Sequence, residues 1–283
     1  VHELMEQTHW DGHPLGRSIA GTLASIESMT AEDFRSYRKS HYNAPSTVVT
    51  AAGNIRHEDV VEKVTFALKG LPHGKAPSAK PCPPPRKSPR IVTAARDIQQ
   101  TQLSLALPAI SHRDERRYAA HLLHVILGAN ASSRLFQEIR EKRGLCYSVS
   151  THQTTLNDGG YLGISAGLDR RNLEKSLSLI LAQFENLRNK IIGIAELRRA
   201  KEYTIGSSRM ALERTSTQNM RLGNSVLAHG KIVDPESVNE KIRNVTPDEI
   251  LSLSKEILDP NRITLAVVGP NPDERMLKKL LGA

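Results

Sequence analysis

Aromatic residues make up only 4% of this 283-residue sequence, too few to supply the stacking platforms on which single-stranded nucleic acid is held. The formal net charge of +9 points toward anionic partners. The basic residues are scattered rather than gathered, however, and no nucleic acid is expected as a partner. Cysteine is nearly absent. Cys82 lies in a proline-rich stretch and Cys146 in an expected strand, so the pair forms no disulfide framework and both are read as free thiols. No apolar run approaches the roughly 18–20 residues that a membrane-crossing helix needs, and no membrane span is expected. The chain opens on Val, and no charged-then-apolar leader follows it. What is present, 39% hydrophobic and 24% charged residues, is a globular balance with material for one large domain or two ordinary ones.

Familiar catalytic signatures are missing too. There is no nucleophile elbow, Walker loop or dinucleotide fingerprint, and "LGANASSR" (127–134) lacks the glycines and lysine of a phosphate cradle. A zinc site needs Cys, His or carboxylate ligands at fixed spacing. "VHELME" at the start resembles a His-Glu-x-x-His helix, but Glu6 stands where the second histidine belongs. His121 and His124, three apart on an expected helix, have no carboxylate on their face and read as residues at the edge of the core. His9 and His13 flank "WDG" without an evident orienting partner. The sequence contains no complete metal site.

The chain has a seam at residues 71–89, "LPHGKAPSAKPCPPPRKSP", dense in Pro and Lys and without periodicity. It divides a segment 1–72 from a body 89–283, with 73–88 as linker. In the body, alternation predicts a strand at Gln102–Leu107, and helical spacing places Ala119, Leu122, Leu123 and Ile126 on one face of a helix over 114–128 that stops at Gly128. A hairpin turn at "NDGG" (157–160) joins strands Leu145–His152 and Tyr161–Gly167. Helical patterns follow at 169–189 and 194–229, then helices beginning at Pro235 and Pro247 and a strand at Arg262–Val268. Residues 29–55 and 245–271 repeat one pattern of helix, Asn/Pro turn, apolar strand and glycine, with Thr30 on Thr246 and Gly53 on Gly269. An internal duplication follows, whose first copy lacks on the order of 125 residues that precede the second. The chain therefore reads as the C-terminal two-thirds of a longer protein.

"ASSRLFQEIREKRGLCYSVS" (131–150) is the densest stretch. Ser132 or Ser133 is the expected N-cap, Leu135, Phe136 and Ile139 the core face, and Arg140, Lys142 and Arg143 the cations of the last turn. Gly144 is the expected stop. In the strand beyond it, Leu145, Tyr147 and Val149 share one face and Cys146 and Ser148 the other. Good folding alone explains such a corner. So does a site in which the Arg140 guanidinium and the Tyr147 phenol meet to hold a peptide carbonyl or an oxyanion.

"SSRLFQEIREKRGLCYSV" is similar to the C-terminal-half signature of the insulinase/pitrilysin family, which includes the mitochondrial processing peptidase. "HPLGRSIAG" (13–21) and "YNAPSTVVTAAGNI" (42–55) resemble the segment that follows the zinc motif in that family's N-terminal half. The resemblance covers essentially the whole chain. It implies an α+β fold of two homologous α/β sandwich domains with mainly antiparallel sheets, the first one truncated in this chain. It implies a zinc metalloendopeptidase that closes on a peptide or unfolded polypeptide, in a homo- or hetero-oligomer. Arg140 and Tyr147 stand at the spacing of the family's substrate- and transition-state-binding arginine and tyrosine. The zinc-bearing His-x-x-Glu-His motif is absent from the chain and its distal glutamate would precede residue 1, so zinc is expected in the intact protein but the chain alone is expected to be inactive. The place of a glycine-rich substrate-sensing loop reads "ILGANASSR" here, with a single glycine. The alternative within the same family is a non-catalytic partner or structural subunit that completes or supports another chain's zinc site.

Overall fold

The structure, a computed structural model, describes residues 1–282. In chain order it comprises helices α1 (His2–His9), α2 (Leu23–Ser28), α3 (Ala31–His41) and α4 (His57–Ala67), then strands β1 (Arg90–Ala95) and β2 (Thr101–Pro108) and helix α5 (Arg117–Gly128). A π-helical segment, Phe136–Glu141, leads to strands β3 (Cys146–Thr155) and β4 (Gly160–Leu168). Helices α6 (Leu173–Asn189), α7 (Ile194–Leu212), α8 (Thr215–His229), α9 (Pro235–Asn244) and α10 (Pro247–Ile257) precede strand β5 (Thr264–Gly269) and the closing helix α11 (Glu274–Leu281). The helical pattern expected over 194–229 is thus two helices. Arg214 leaves the helical region (ψ 124°), and the Thr-Ser-Thr run after it, poor in helix propensity, opens α8 instead of continuing α7. No helix among the described residues is long and apolar enough to cross a membrane.

Contacts gather the chain into two compact units. The first takes Val1–Arg17, Cys82–Ile205 and the chain from Val238 onward; the second takes Ser18–Pro81 and Gly206–Ser237. These units do not follow the expected division at 1–72, 73–88 and 89–283, because residues 1–17 pack with the later body and 206–237 with the earlier segment. As a division by descent, that scheme remains a proposal.

The first unit is built on one five-stranded sheet in the order β1-β5-β2-β4-β3. Only β1 and β5 run parallel; the other three pairings are antiparallel. The sheet explains its own sequence by period two. Leu103, Leu105 and Leu107 of β2, Leu162, Ile164 and Ala166 of β4, and Leu265 and Val267 of β5 join the main core with Leu122 and Leu123 of α5, Phe184 of α6 and Ile250 and Leu253 of α10. Each such fully buried leucine or isoleucine contributes about 1.5–3 kcal/mol of transfer free energy. The intervening residues are small: Ser104, Ala106, Gly163, Ser165 and Ala266. Ala106, Ala266 and Tyr161 pack with Met5 of α1 and with Trp10 on that second face. The result is the expected α+β class, with a mainly antiparallel sheet between a thick helical layer and one short helix.

The two copies of the repeat, the first in the second unit and the second in the first unit, are visible as local structure. Helices α3 and α10 are both 11 residues long, and each is opened by a capping box, Thr30 with Asp33 and Thr246 with Glu249. Each is followed by a single 3-10 turn, Ala44–Ser46 capped by Asn43 and Pro260–Arg262 capped by Asp259. The copies part at the next step. The strand expected after Pro45 does not form; residues 47–52 join no ladder among the described residues, whereas their counterpart β5 lies between β1 and β2. A strand has no stability without a neighbour to take its hydrogen bonds.

Candidate active-site corner

The corner at 131–150 is held from beneath by Leu135 and Ile139, both fully buried, and by Leu145. Its helix is wound as a π-helix over Phe136–Glu141, and the Lys142 amide donates to the Gln137 carbonyl five residues back at 3.0 Å. Such turns are rare and occur often at functional sites. The expected serine cap is not made. The Asn130 carboxamide oxygen accepts from the Ser132 amide at 2.8 Å, and the Ser133 hydroxyl, buried, has no partner among the described residues. The expected stop is made: Gly144 has φ +60°, and nested bonds run from its amide to the Arg140 carbonyl (3.0 Å) and from the Leu145 amide to the Ile139 carbonyl (2.9 Å).

Tyr147 departs from simple alternation. In the β3–β4 ladder Cys146 pairs with Leu168 and Ser148 with Gly167, so Tyr147 is the extra residue of a β-bulge. A bulge re-aims the side chain it carries. Leu145 and Val149 are buried, and Tyr147, expected on their face, is 65% exposed.

The cations of the stretch have separate fates. Arg134 forms a two-pronged ion pair with Glu196, both contacts 2.8 Å, and also reaches Asn186 at 3.0 Å. Lys142 and Arg143 both bind the Glu138 carboxylate, and these bonds hold it below the usual carboxylate range. Arg140 has no carboxylate partner among the described residues. Its guanidinium lies 4.8 Å from the centroid of the Phe136 ring, and the residue is exposed. It also stands near enough to Cys146 to offset part of the burial that raises that thiol. No hydrogen bond joins Arg140 to Tyr147 among the described residues. Both residues are solvent-facing, seven positions apart around the corner, and neither side chain makes a hydrogen bond among the described residues.

Four of the residues that tempted a metal reading, His2, Glu6, His9 and His124, are employed elsewhere. Tyr161 donates its hydroxyl hydrogen to Glu6 at 2.6 Å, His2 Nδ1 lies 3.3 Å from Ser104 Oγ, and His9 Nδ1 lies 3.0 Å from Thr264 Oγ1. Burial first, then the charges of Arg86 and Arg90, hold His9 at about 4. His124 pairs with Thr151 Oγ1 at 2.7 Å, and burial, followed by His121 and His152, holds it at about 4. Among the described residues no group of three or more His, Cys, Asp or Glu could hold a metal ion. With these partners, His2, His9, His124 and Glu6 do not fit a zinc site. Sequence periodicity could not show the π-turn or the bulge, since each adds one residue to a pattern that had no visible gap.

Comparison with known proteins agrees with this architecture. The protein-family model described as peptidase M16 inactive domain matches residues 28–203. An uncharacterized zinc protease of Streptomyces coelicolor is 33% identical over 282 residues, covering 97% of this chain and 61% of the relative. One of Mycobacterium tuberculosis is 34% identical over 280 residues, covering 96% of this chain and 62% of the relative. The chain thus spans about three-fifths of the length of the curated relatives it matches. Among solved structures, a peptidase M16 inactive domain from Pseudomonas fluorescens superposes with a TM-score of 0.87 at 23% identity, covering 95% of this chain and 65% of that one. A chain of Complex III2 from Candida albicans, Inz-5 bound, gives 0.85 at 19% identity, covering 99% and 69%. At those identities the two structures establish a shared fold.

Proposed function

Because this chain belongs to the M16 peptidase family, we propose that it is the substrate-binding portion of a zinc metalloendopeptidase, with Arg140 and Tyr147 as the residues that grip the peptide. The observation that carries this reading is the isolation of Arg140. Every other cation at the corner is spent on a carboxylate, and Arg140 rests on an aromatic ring with no carboxylate partner among the described residues. A guanidinium and a phenol at one exposed edge can both donate to a peptide carbonyl oxygen, and preorganised donors there stabilise negative charge as it develops. The relatives' description as zinc proteases supports a metal in the intact protein. His2, Glu6 and His9 are otherwise engaged, so in this reading the ligands lie outside these 283 residues. The scheme of an N-terminal remnant 1–72, a linker 73–88 and a peptidase-family body 89–283 belongs to the same proposal, as does assembly with a second copy or a related chain.

A subunit that serves another chain's site is the second reading, favoured by the fold shared with a Complex III2 chain. Zinc content and peptide hydrolysis measured on the purified 283 residues, and on the intact protein, separate the outcomes. The proposal expects no stoichiometric zinc and no turnover from the 283 residues, and both from the intact protein. Zinc-dependent hydrolysis by the 283 residues alone overturns it. Inactivity of the intact protein until a related chain is added selects the subunit reading.

A further inference from the structure

Beside the turn that precedes the π-helical segment, a cleft of about 90 Å³ opens between the end of α5 and the exposed side of α7. Its floor is apolar, with Val125, Ile126 and Ala200; its polar lining is Asn130, Ser132, Ser133, Glu196, Arg199 and Tyr203. On α7 the residues Glu196, Arg199, Ala200 and Tyr203 recur at helical spacing, so they present one face to the cleft. Two features set this place apart from an ordinary surface groove.

The first is Ser133. It is only 2% exposed, and its hydroxyl oxygen has no hydrogen-bond partner among the described residues. Buried polar groups are almost always satisfied, and an idle hydroxyl in the wall of a cleft asks what it waits for. The second is the charge balance. Glu196 would repel an anion, but Arg134 neutralises it through two contacts of 2.8 Å. Arg199 forms no ion pair among the described residues, although Arg198 beside it reaches Glu202 at 4.0 Å. The cleft therefore carries one uncompensated positive charge, beside a free serine hydroxyl and a tyrosine hydroxyl.

We propose that this cleft is a carboxylate-binding subsite, in which the Arg199 guanidinium pairs with the ligand's carboxylate and the Ser133 and Tyr203 hydroxyls donate to its oxygens. The volume is ample for the three heavy atoms of a carboxylate group, each about the size of a water, for which about 10–15 Å³ suffices. Guanidinium and carboxylate form the stronger, charge-assisted class of hydrogen bond, and hydroxyl donors complete the oxygen lone pairs. The site does not use Arg140 or Tyr147 and stands whether or not they grip a substrate.

The test is titration calorimetry on the intact protein at low salt, with acetyl-alanine, its C-terminal amide and inorganic phosphate as probes. The acid binds saturably at one site and the amide does not. Arg199→Gln weakens the acid about tenfold or more, Ser133→Ala weakens it several-fold, and Arg198→Gln leaves it unchanged. Ser133→Ala removes an unpartnered hydroxyl, so it melts no lower than the parent protein, which separates loss of binding from loss of fold. Equal binding of acid and amide, absence of saturable binding, or equal effects of Arg198→Gln and Arg199→Gln overturn the proposal. Phosphate binding tighter than the acid overturns the carboxylate assignment in favour of a phosphate site.

Discussion

Arg140 and Arg134 sit six residues apart, and their surroundings assign them opposite duties. The Arg134–Glu196 pair is partly buried, two-pronged and extended by Asn186. Hydrogen bonds to charged groups are worth about 1.5–3 kcal/mol, so Arg134→Ala should lower unfolding free energy by roughly that amount, measured by urea denaturation. Arg140→Ala removes an exposed side chain that stacks on one ring, and its stability change should stay within about 0.5 kcal/mol. This difference was only half legible in the sequence. The spacing of Arg140 and Tyr147 could be read directly. That Lys142 and Arg143 would clasp Glu138 instead of merely facing the helix dipole required knowing which way a π-wound turn carries them.

At the scale of elements, the corner depends on two interruptions of regular structure, a stop and a bulge. Gly144 holds φ +60° with nothing within 4 Å of where a Cβ would lie. The cost of Gly144→Ala is therefore conformational alone, about 1 kcal/mol, and Gly144→Asn should cost less because asparagine tolerates the left-handed region. Equal melting temperatures for the parent and the alanine variant would show that the nested carbonyl bonds do not fix this turn. Glycine as a stop was plain in the sequence because its reason is local. The Tyr147 bulge was not, since alternation predicts faces only while the ladder keeps register, and register belongs to the partner strand. The serine cap is not made either: an Asx turn at Asn130 takes the Ser132 amide, and the Ser133 hydroxyl accepts from no amide of the first turn among the described residues.

Over the whole molecule, the duplication read from residue spacing reappears as paired capping boxes, equal helix lengths and matching 3-10 turns. The copies differ in what covers them. Ile250 and Leu253 are buried in α10, whereas their counterparts in α3, Phe34 and Tyr37, are 65% and 59% exposed. Sequence alone showed the repeat but not this inequality, because burial depends on neighbours that periodicity does not name. The buried histidines give the first unit an acid limit. His9 and His124 are held near 4 in the folded state against about 6.5 in the unfolded chain. Unfolded chains then take up protons that the fold refuses, so stability is full above pH 6.5 and falls as pH drops toward 4. Denaturation at pH 7.5, 6 and 5 should show this decline. His9→Asn, which keeps a nitrogen or oxygen near Thr264 without titrating, should make it shallower while the His124 share remains; an unchanged slope would assign the decline to other groups.

The central claim is that the peptide is gripped by Arg140 and Tyr147. Its most direct measurement is turnover of an unstructured peptide by the intact protein, together with its partner chain if one is required. Arg140→Ala and Tyr147→Phe are compared there with Arg171→Ala, an exposed arginine paired with Asp169. The account predicts a loss of about 10²–10³ in each of the first two, at unchanged melting temperature, and no loss in the third. Parental rates in both corner variants would contradict it and leave the corner as plain architecture.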